Sequence, residues 1–594
     1  MSRKQAPDGQ GLRFEADEPA PAALTFGLGL QLAVLTVTVP IVIPTAVMRI
    51  GGAGDAYLAW AVFAAVAISG IATALQAFRF GRIGGGHMLV MGSSAAFIGV
   101  SITAVEKGGP AMLATLVVIG GLFQLLLSAR LAVFRKILTP AVSGTVIMLI
   151  PVTVMPILFR MLDDVPQGSP DHAAPSIALI TILAILGVSL KGTAMLRLWA
   201  PIVGVVAGTA VAAFFGLYDL DRIAAASWIG LPSAEMPGLD LDFGPVFWAL
   251  LPAFLLTAVI GTIRAMSSNA ALQQVSWRRK RPVDFRAVQG TVTVDGMSNL
   301  LCGLAGTVPN TTYSLAAPLI EITGVAARVV AVATGAIFLV LAFLPKALAV
   351  VLAIPGPVVA AYLLVLVAML FMVGIGMVMQ DGMDYRKGMV VGVSFWLGVG
   401  FQNGAIYPEL VSEFAGGIFS NGITSGGLVA IVMTWIVDFL GPRPVRTETE
   451  FGIAALPKIR EFLAGFAARN RWEGAMADRL DAVGEETLLT LLGPEDRSGA
   501  PGRARRLRLS ASKGEDGALL EFVVAPRGEN VQERLAVLDA RGEETPVEQE
   551  VSLRLLRHLA SSVRHQQYHD TDIVAVQVKY PAPGSNRVGS NRVK

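Results

Sequence analysis

Residues 306–314, Gly-Thr-Val-Pro-Asn-Thr-Thr-Tyr-Ser, are polar and helix-breaking, yet long apolar runs extend on both sides of them. The chain has 594 residues, 54% hydrophobic and 15% charged, against about 25% charged in a soluble globular chain. That balance places it in a bilayer. Backbone groups are not left unpaired against lipid, so such a break is buried in protein or lines a watery cavity. Breaks of this kind hold cargo in membrane carriers. The segment therefore predicts a transporter.

A spanning helix needs about 20 mainly apolar residues. Candidate spans fall near 24–48, 56–78, 88–105, 111–129, 137–158, 175–190, 196–215, 245–266, 287–305, 313–327, 328–344, 348–376, 387–402 and 423–441, about fourteen in all. Lysine and arginine collect on alternate loops: Arg79 and Arg82, Arg130 to Lys136, Lys191 and Arg197, Arg278 to Arg286, Arg386 and Lys387. The opposite loops carry Asp163, Asp164, Asp171, Glu235, Asp240 and Glu409. This segregation satisfies the positive-inside rule for an even number of spans with both termini cytoplasmic. Residues 1–23 are a polar tail, and the first apolar run is too long for a signal peptide. Cys302 is the single cysteine, which excludes an intrachain disulfide and a cysteine-built zinc site. No cofactor motif or nucleophile constellation appears, and the apolar region has no metal-ligand spacing, so neither an enzyme nor a nucleic-acid binder is expected.

The apolar region, 24–441, divides into two halves of seven spans. The third span of each half opens on a glycine-rich polar break, Gly84 to Ser94 in one and Gly306 to Ser314 in the other. Matching breaks in two odd-numbered halves are the mark of an inverted repeat with its cargo site at the repeat interface. Residues 88–92 and 308–313 could pair as short strands, and the half-helices after Ser93 and Ser314 would aim their positive ends at the cavity. Glycines spaced for helix packing would give the same composition without a site.

Near Gly441-Pro442-Arg443-Pro444 the chain becomes charged and mixed. Residues 442–580 read as a cytoplasmic α+β domain, helical around 455–492 and 550–566, with strands at 505–510, 519–524 and 572–579. His558, His565 and His569 fall on the second helical stretch and its flank, where an exposed face or a metal site are the alternatives. Residues 581–594 read as a flexible tail.

Pro309-Asn310-Thr311-Thr312-Tyr313-Ser314 with Thr323-Gly324, the Gly92-Ser93-Ser94-Ala95-Ala96-Phe97 run, Gln31 and Pro140 to Gly144 together resemble the nucleobase–ascorbate transporter family of xanthine and uracil permeases. The resemblance covers about 24–441. It implies an all-α polytopic membrane protein of fourteen spans, a 7+7 inverted repeat divided into core and gate domains, with midplane strands in spans 3 and 10. It also implies a multi-pass protein of the bacterial inner membrane, a symporter coupled to protons or sodium, moving its core past its gate, and expected as a homodimer. Substrate would be held by spans 1, 3, 8 and 10, which puts Gln31, Gly92, Ser93, Ser94, Phe97, Arg264, Ser268, Asn310, Thr311, Thr312, Tyr313, Ser314, Leu315 and Ala316 at the site. Residues 472–492 faintly resemble the first helix of the histidine-kinase-like ATPase fold, but Thr490 stands where that fold has asparagine and no adenine motif follows. A structural, dimerising or regulatory role is the expectation there.

The chain departs from the permease pattern where the family reads its base. Arg264 occupies the place of a span-eight carboxylate, Leu32 that of a histidine, and Leu315-Ala316-Ala317-Pro318 stands where the family usually has Glu or Gln, then Asn, and Gly three residues after the first. Donor and acceptor arrays on a base are matched by carboxylates and amides, and leucine and alanine supply neither. An arginine at the centre of a span costs about 2.5–3.5 kcal/mol or more unless it meets a cavity or a partner. Arg264 therefore reads as an anion-binding group, as a snorkelling residue, or as the partner of Glu321. Glu321 is either a proton carrier or that counter-ion, and Asp295 is placed near an interface. Three functions follow: a nucleobase-type carrier, an anion carrier on the same fold, and a transport-decayed sensor signalling through residues 442–580.

Overall fold

The computed structural model describes residues 12–131, 139–492 and 506–580, apart from 164, 167, 233–235, 280, 314, 380–384, 408, 410–418, 420, 441–443, 473, 515, 516, 525–554, 569 and 570. Ser314, His569 and the tail at 581–594 thus lie outside the described residues. The chain divides into two compact units, residues 1–279 with 287–435 and residues 280–286 with 436–594.

The first unit is helical around one short sheet. In chain order it runs α1 (Ala22–Ile50), α2 (Asp55–Gln76), β1 (Val90–Ser93), a 3-10 turn at Ala95–Phe97, α3 (Ile98–Ala129), α4 (Pro140–Leu162), α5 (Ala173–Lys191), α6 (Ala194–Phe214) and α7 (Leu220–Ala225). The second half runs α8 (Pro245–Val275), α9 (Phe285–Leu304), β2 (Asn310–Tyr313), α10 (Ala316–Thr323), α11 (Val329–Ala342), α12 (Pro345–Leu352), α13 (Gly356–Met379), α14 (Tyr385–Gln402) and α15 (Gly422–Leu440). Among the described residues eight helices are long and apolar enough to cross a membrane, or nine counting α11 and α12, which meet at 84°. The protein is a polytopic helical membrane protein.

Several boundaries differ from those expected. Spans 3 and 4 run together in α3, broken inside by Gly109 at φ 74° and followed by Pro110. The run expected at 348–376 is interrupted at Pro355, so its first residues belong to α12. α9 fails the apolar test altogether, because Gln289, Thr291, Asp295, Ser298 and Asn299 on it are buried polar residues.

Small residues let the helices meet. α2 packs on α11, where a methyl on Gly335 would stand 2.4 Å from the Gly70 carbonyl oxygen. α9 meets the second part of α3 in the same way, with a methyl on Gly303 falling 2.6 Å from Val118 N. Close glycine contacts are the usual route to tight helix pairs in lipid. Span 2 on span 11 and span 9 on span 4 are the exchanged pairs that an inverted repeat generates.

The second unit is a five-stranded antiparallel sheet in the order β3 (Val445–Glu450), β4 (Arg506–Gly514), β5 (Gly517–Val524), β7 (Asp572–Lys579), β6 (Ser562–Gln567). Helices α16 (Leu456–Arg469) and α17 (Gly474–Leu491) supply Ile459, Leu463 and Leu480 to its core with Leu509, Phe522 and Val576. Alternating burial along β4 and β5 is what a sheet with one packed face requires. β3 was not expected. Residues 562–567 are β6 rather than helix: Val563, His565 and Gln567 alternate toward one face, and the strand pairs with β7. His565 is consequently buried at 2% exposure, and burial pushes its pKa down to about 4, so it is neutral at pH 7. Its Nε2 stands 4.0 Å from Asp572 Oδ2. No cluster of three metal-ligating side chains occurs among the described residues.

Candidate functional site

The helix-breaking segment 306–314 contributes half of a two-stranded sheet inside the bundle. β1 and β2 are antiparallel, pairing Val90 with Tyr313, Met91 with Thr312, Gly92 with Thr311 and Ser93 with Asn310. Both strands are buried throughout, so their backbones satisfy each other where lipid could not. Gly306, at φ 72°, ends the turn after α9. The carbonyls exposed by that turn are met from α2: Tyr57 Oη donates to Gly306 O, Trp60 Nε1 donates to Ala305 O (2.8 Å), and Thr307 Oγ1 returns a bond to Ala61 O (2.7 Å). Across the far end, Ser94 N donates to Pro309 O at 2.8 Å.

Strand alternation sorts the side chains onto two faces. Asn310 and Thr312 point to α2 and α9. Asn310 N donates to Asn299 Oδ1 (2.6 Å) and its Nδ2 to Ser69 and Ser298 Oγ (3.2 and 3.1 Å). Thr312 Oγ1 donates to Asp295 Oδ1 (2.6 Å) and accepts from Gln76 Nε2 (3.4 Å). Behind them Asn299 Nδ2 donates to Gln124 Oε1 at 2.6 Å. On the opposite face Tyr313 Oη donates to Ser93 O at 2.7 Å, and its ring lies over Gly92, where a methyl would fall 2.5 Å from Tyr313 Oη. Only glycine fits there.

α8 packs on β2 and brings up Arg264. The residue is half-buried as a whole, and its guanidinium lies within electrostatic reach of Tyr313 and Asp295. Among the described residues it makes no hydrogen bond and no ion pair. Asp295 is fully buried, and among the described residues its Oδ2 has no partner beside the bonded Oδ1. The hydroxyls of Ser93, Ser94 and Thr311 and Asn310 Oδ1 are likewise buried with no partner among the described residues. Buried polar atoms left open cost about 1–3 kcal/mol each; several of them along one strand pair suit a ligand rich in donors and acceptors. Phe97 closes one side, its ring 6.0 Å from Phe254 of α8.

The remaining expected residues lie around this centre. Gln31 is half-buried on α1, which packs on β1; Ser268 is buried one turn beyond Arg264; Ala316 is buried at the start of α10, and Leu315 before it is 38% exposed. Glu321 departs from its expected setting. It is exposed near the end of α10 and has no ion pair with Arg264 among the described residues. The carboxylate within electrostatic reach of Arg264 is Asp295 of α9, whose Oδ1 is held by the Thr312 hydroxyl. Asp295, expected near an interface, is instead fully buried beside the strand pair, and Gln76, Gln124 and Asn299 were not picked out from sequence. The signal was present: six polar residues between Gln289 and Asn299 in one span must all face protein. A cavity of about 350 Å³ lined by Arg49, Leu217, Asp219 and Leu352 contains none of the expected site residues.

Residues 24–406 match the profile of a family described as a permease family, of the xanthine and uracil type. A Clostridium perfringens (strain 13 / Type A) protein provisionally named a purine permease is 28% identical over 430 residues, 71% of this chain and 91% of that protein. The xanthine permease XanP of Escherichia coli K12 is 25% identical over 62% of this chain and 82% of its own. The uric acid permease PucK of Bacillus subtilis 168 is 26% identical over 68% and 94%. Among solved structures, the transmembrane domain of the cyanobacterial bicarbonate transporter BicA is 18% identical, with a TM-score of 0.43 over 71% of this chain and 99% of that one. At that superposition it decides nothing about cargo.

Proposed function

The chain belongs to this permease family and is a membrane transporter, not an enzyme, and on that premise we propose that it carries an acidic, planar purine-class solute as a secondary, ion-coupled carrier. The observation behind the choice of cargo is Arg264, a guanidinium without hydrogen bond or ion pair among the described residues, at the strand pair. A planar fork of five donors fits adjacent carbonyl oxygens or the delocalised anion of an oxidised purine. Relatives named as xanthine and uric acid permeases support cargo of that shape.

Charge balance then suggests the coupling. Without cargo, Asp295 is the carboxylate that offsets Arg264. An arriving anion takes over that role, and the carboxylate left behind is cheaper to bury as the neutral acid. Taking up one proton with one anion makes the loaded site electrically no different from the empty one. The loaded core, α1 to α3 and α8 to α11, would then move past the gate, α4 to α6 and α13 to α15, in elevator fashion. The protein is expected as a dimer in the bacterial inner membrane, with both termini in the cytoplasm.

Uptake into proteoliposomes of labelled xanthine, urate and uracil, against sulfate, bicarbonate and dicarboxylates, with and without a proton gradient, tests this. Urate or xanthine driven by inward protons is the expected result. Sulfate or bicarbonate as the preferred solute would place the protein among inorganic-anion carriers instead, a reading that Arg264 alone would equally serve.

A further inference from the structure

The segment before α1 does not trail away from the bundle. Arg13 N and Phe14 N both donate to Gly324 O (2.6 and 3.1 Å), Ala326 N donates to Phe14 O (2.9 Å), and Arg328 N to Ala16 O (3.1 Å). Phe14 and Val325 form a parallel bridge. On its other side Ala16 N donates to Ser276 O (3.3 Å). Ala16 is fully buried, and Leu12 and Phe14 pack against the membrane core.

Arg278 fastens the second side. Its Nη1 and Nη2 donate to the two carboxylate oxygens of Glu18, both at 2.6 Å, while Nε and Nη2 reach Leu12 O and Arg13 O at 3.2 and 2.9 Å. Its backbone N donates to Glu15 Oε1 at 2.8 Å. A lone exposed ion pair contributes little. This one is a bidentate fork with two further carbonyls, the geometry in which arginine and lysine are not interchangeable. Arg328 adds a contact to Asp17 at 3.3 Å.

The two anchor points are the ends of the two helices that flank the proposed site. Ser276 and Arg278 directly follow α8, which carries Arg264 roughly 16 Å up its axis at 1.5 Å per residue. Gly324, at φ 70°, caps α10, whose first residue Ala316 lies at the site about 12 Å away by the same rise. With eight residues, α10 is far too short to hold its own geometry. Its start lies just past β2, its end is held by this segment, and between them it packs on α8 and α6.

We infer that residues 12–18 form a clasp that sets the spacing of α8 and α10 around the site, with Arg278 as its principal positioning residue. The inference rests on the carrier reading for its consequence, not for its geometry. Opening the clasp lets Arg264 and the start of α10 drift apart, so solute binds more weakly throughout the transport cycle.

Two readouts test it. In uptake, Arg278→Ala raises the half-saturating solute concentration at least about fivefold with maximal rate per folded molecule within about twofold, the pattern of lost uniform binding. Arg278→Lys recovers part of this, and Phe14→Cys with Val325→Cys, oxidised in the Arg278→Ala background, recovers most. Cys302 is buried and does not interfere. Equal half-saturation with merely less folded protein, or no recovery on cross-linking, overturns the clasp. The second readout needs no transport: the rate at which a thiol reagent labels Leu315→Cys rises at least about threefold when Arg278→Ala is added, as expected for a shifted opening equilibrium. An unchanged labelling rate overturns the clasp even if the protein carries some other solute. Absence of uptake by the unmodified protein, with the labelling change present, overturns the carrier reading and leaves the clasp standing.

Discussion

α9 and α13 have similar lengths, 20 and 24 residues, and opposite characters. α13 is an almost unbroken apolar run and passes any hydropathy test for a membrane helix. α9 fails it, yet lies behind the buried strand pair with Gln289, Thr291, Asp295, Ser298 and Asn299 all hidden from solvent. The difference teaches that hydropathy reports exposure to lipid rather than depth in the membrane. A span can afford polar groups only where other protein groups meet them. The helix least like a membrane helix is therefore the one beside the site.

The sharpest way to break this contrast is at Arg264. Arg264→Ala removes the only proposed counter-charge for the cargo, and saturable uptake should fall at least about a hundredfold with the protein still folded. Arg264→Lys should not restore it, because an ammonium cannot reproduce the planar fork. Uptake that survives Arg264→Ala would return Arg264 to a snorkelling role. Asp295→Asn comes next. Asparagine keeps an acceptor for Thr312 Oγ1 but cannot take up a proton, so proton-driven accumulation should drop at least about tenfold. Exchange of labelled for unlabelled solute should persist. If accumulation persists as well, the coupling group lies elsewhere.

Much of the membrane unit was legible in the sequence, and for identifiable reasons. The break at 306–314 declared itself because lipid forbids unpaired backbone, and its likeness to the 84–94 break located both strands of the buried pair. Asp295 was placed near an interface because a carboxylate in a span carries no mark of which neighbours β2 will bring to it. Glu321, weighed as a partner for Arg264, lies on an exposed face of the short helix α10 and makes no ion pair with it among the described residues. In the second unit a helical period was seen where β6 forms, since residues 562–567 have no strong pattern of their own and are ordered by pairing with β7. Long-range pairing decided each of these, and local sequence does not encode it.

Glycines give a smaller and cleaner comparison. A methyl on Gly92 meets Tyr313 Oη at 2.5 Å and its ring at 2.8 Å, in a place where Tyr313 is already tied to Ser93 O. Gly92→Ala should cost about 1–3 kcal/mol as an overpacking substitution, read as a lower melting temperature together with weaker solute binding. Gly376 on α13 has nothing within 4 Å of the added methyl. Gly376→Ala should be neutral or stabilise by about 0.5–1 kcal/mol, as alanine for glycine does in a helix. Equal effects at the two positions would mean the strand pair is no more tightly specified than an ordinary helix face.

The smallest effect concerns pH, and it separates the clasp from the site. The Arg278 guanidinium bonded to Glu18 holds that carboxyl below its ordinary value of 4.5, with the Glu15 backbone N–H adding to it. A carboxyl lowered on folding contributes stability above its unfolded value and loses it as pH falls through the folded one. The clasp should therefore stay shut from pH 8 down to about 5 and open only below 4.5. Labelling of Leu315→Cys, corrected for the reagent's own pH dependence, should be flat over the upper range and rise only at its acid end. Glu18→Gln should remove most of that rise and bring the neutral-pH rate up toward the acid one. A labelling rate that instead changes near neutrality would mean that a group other than Glu18 governs the segment. The half-exposed pair would then be a bystander to whatever holds α8 and α10 in place.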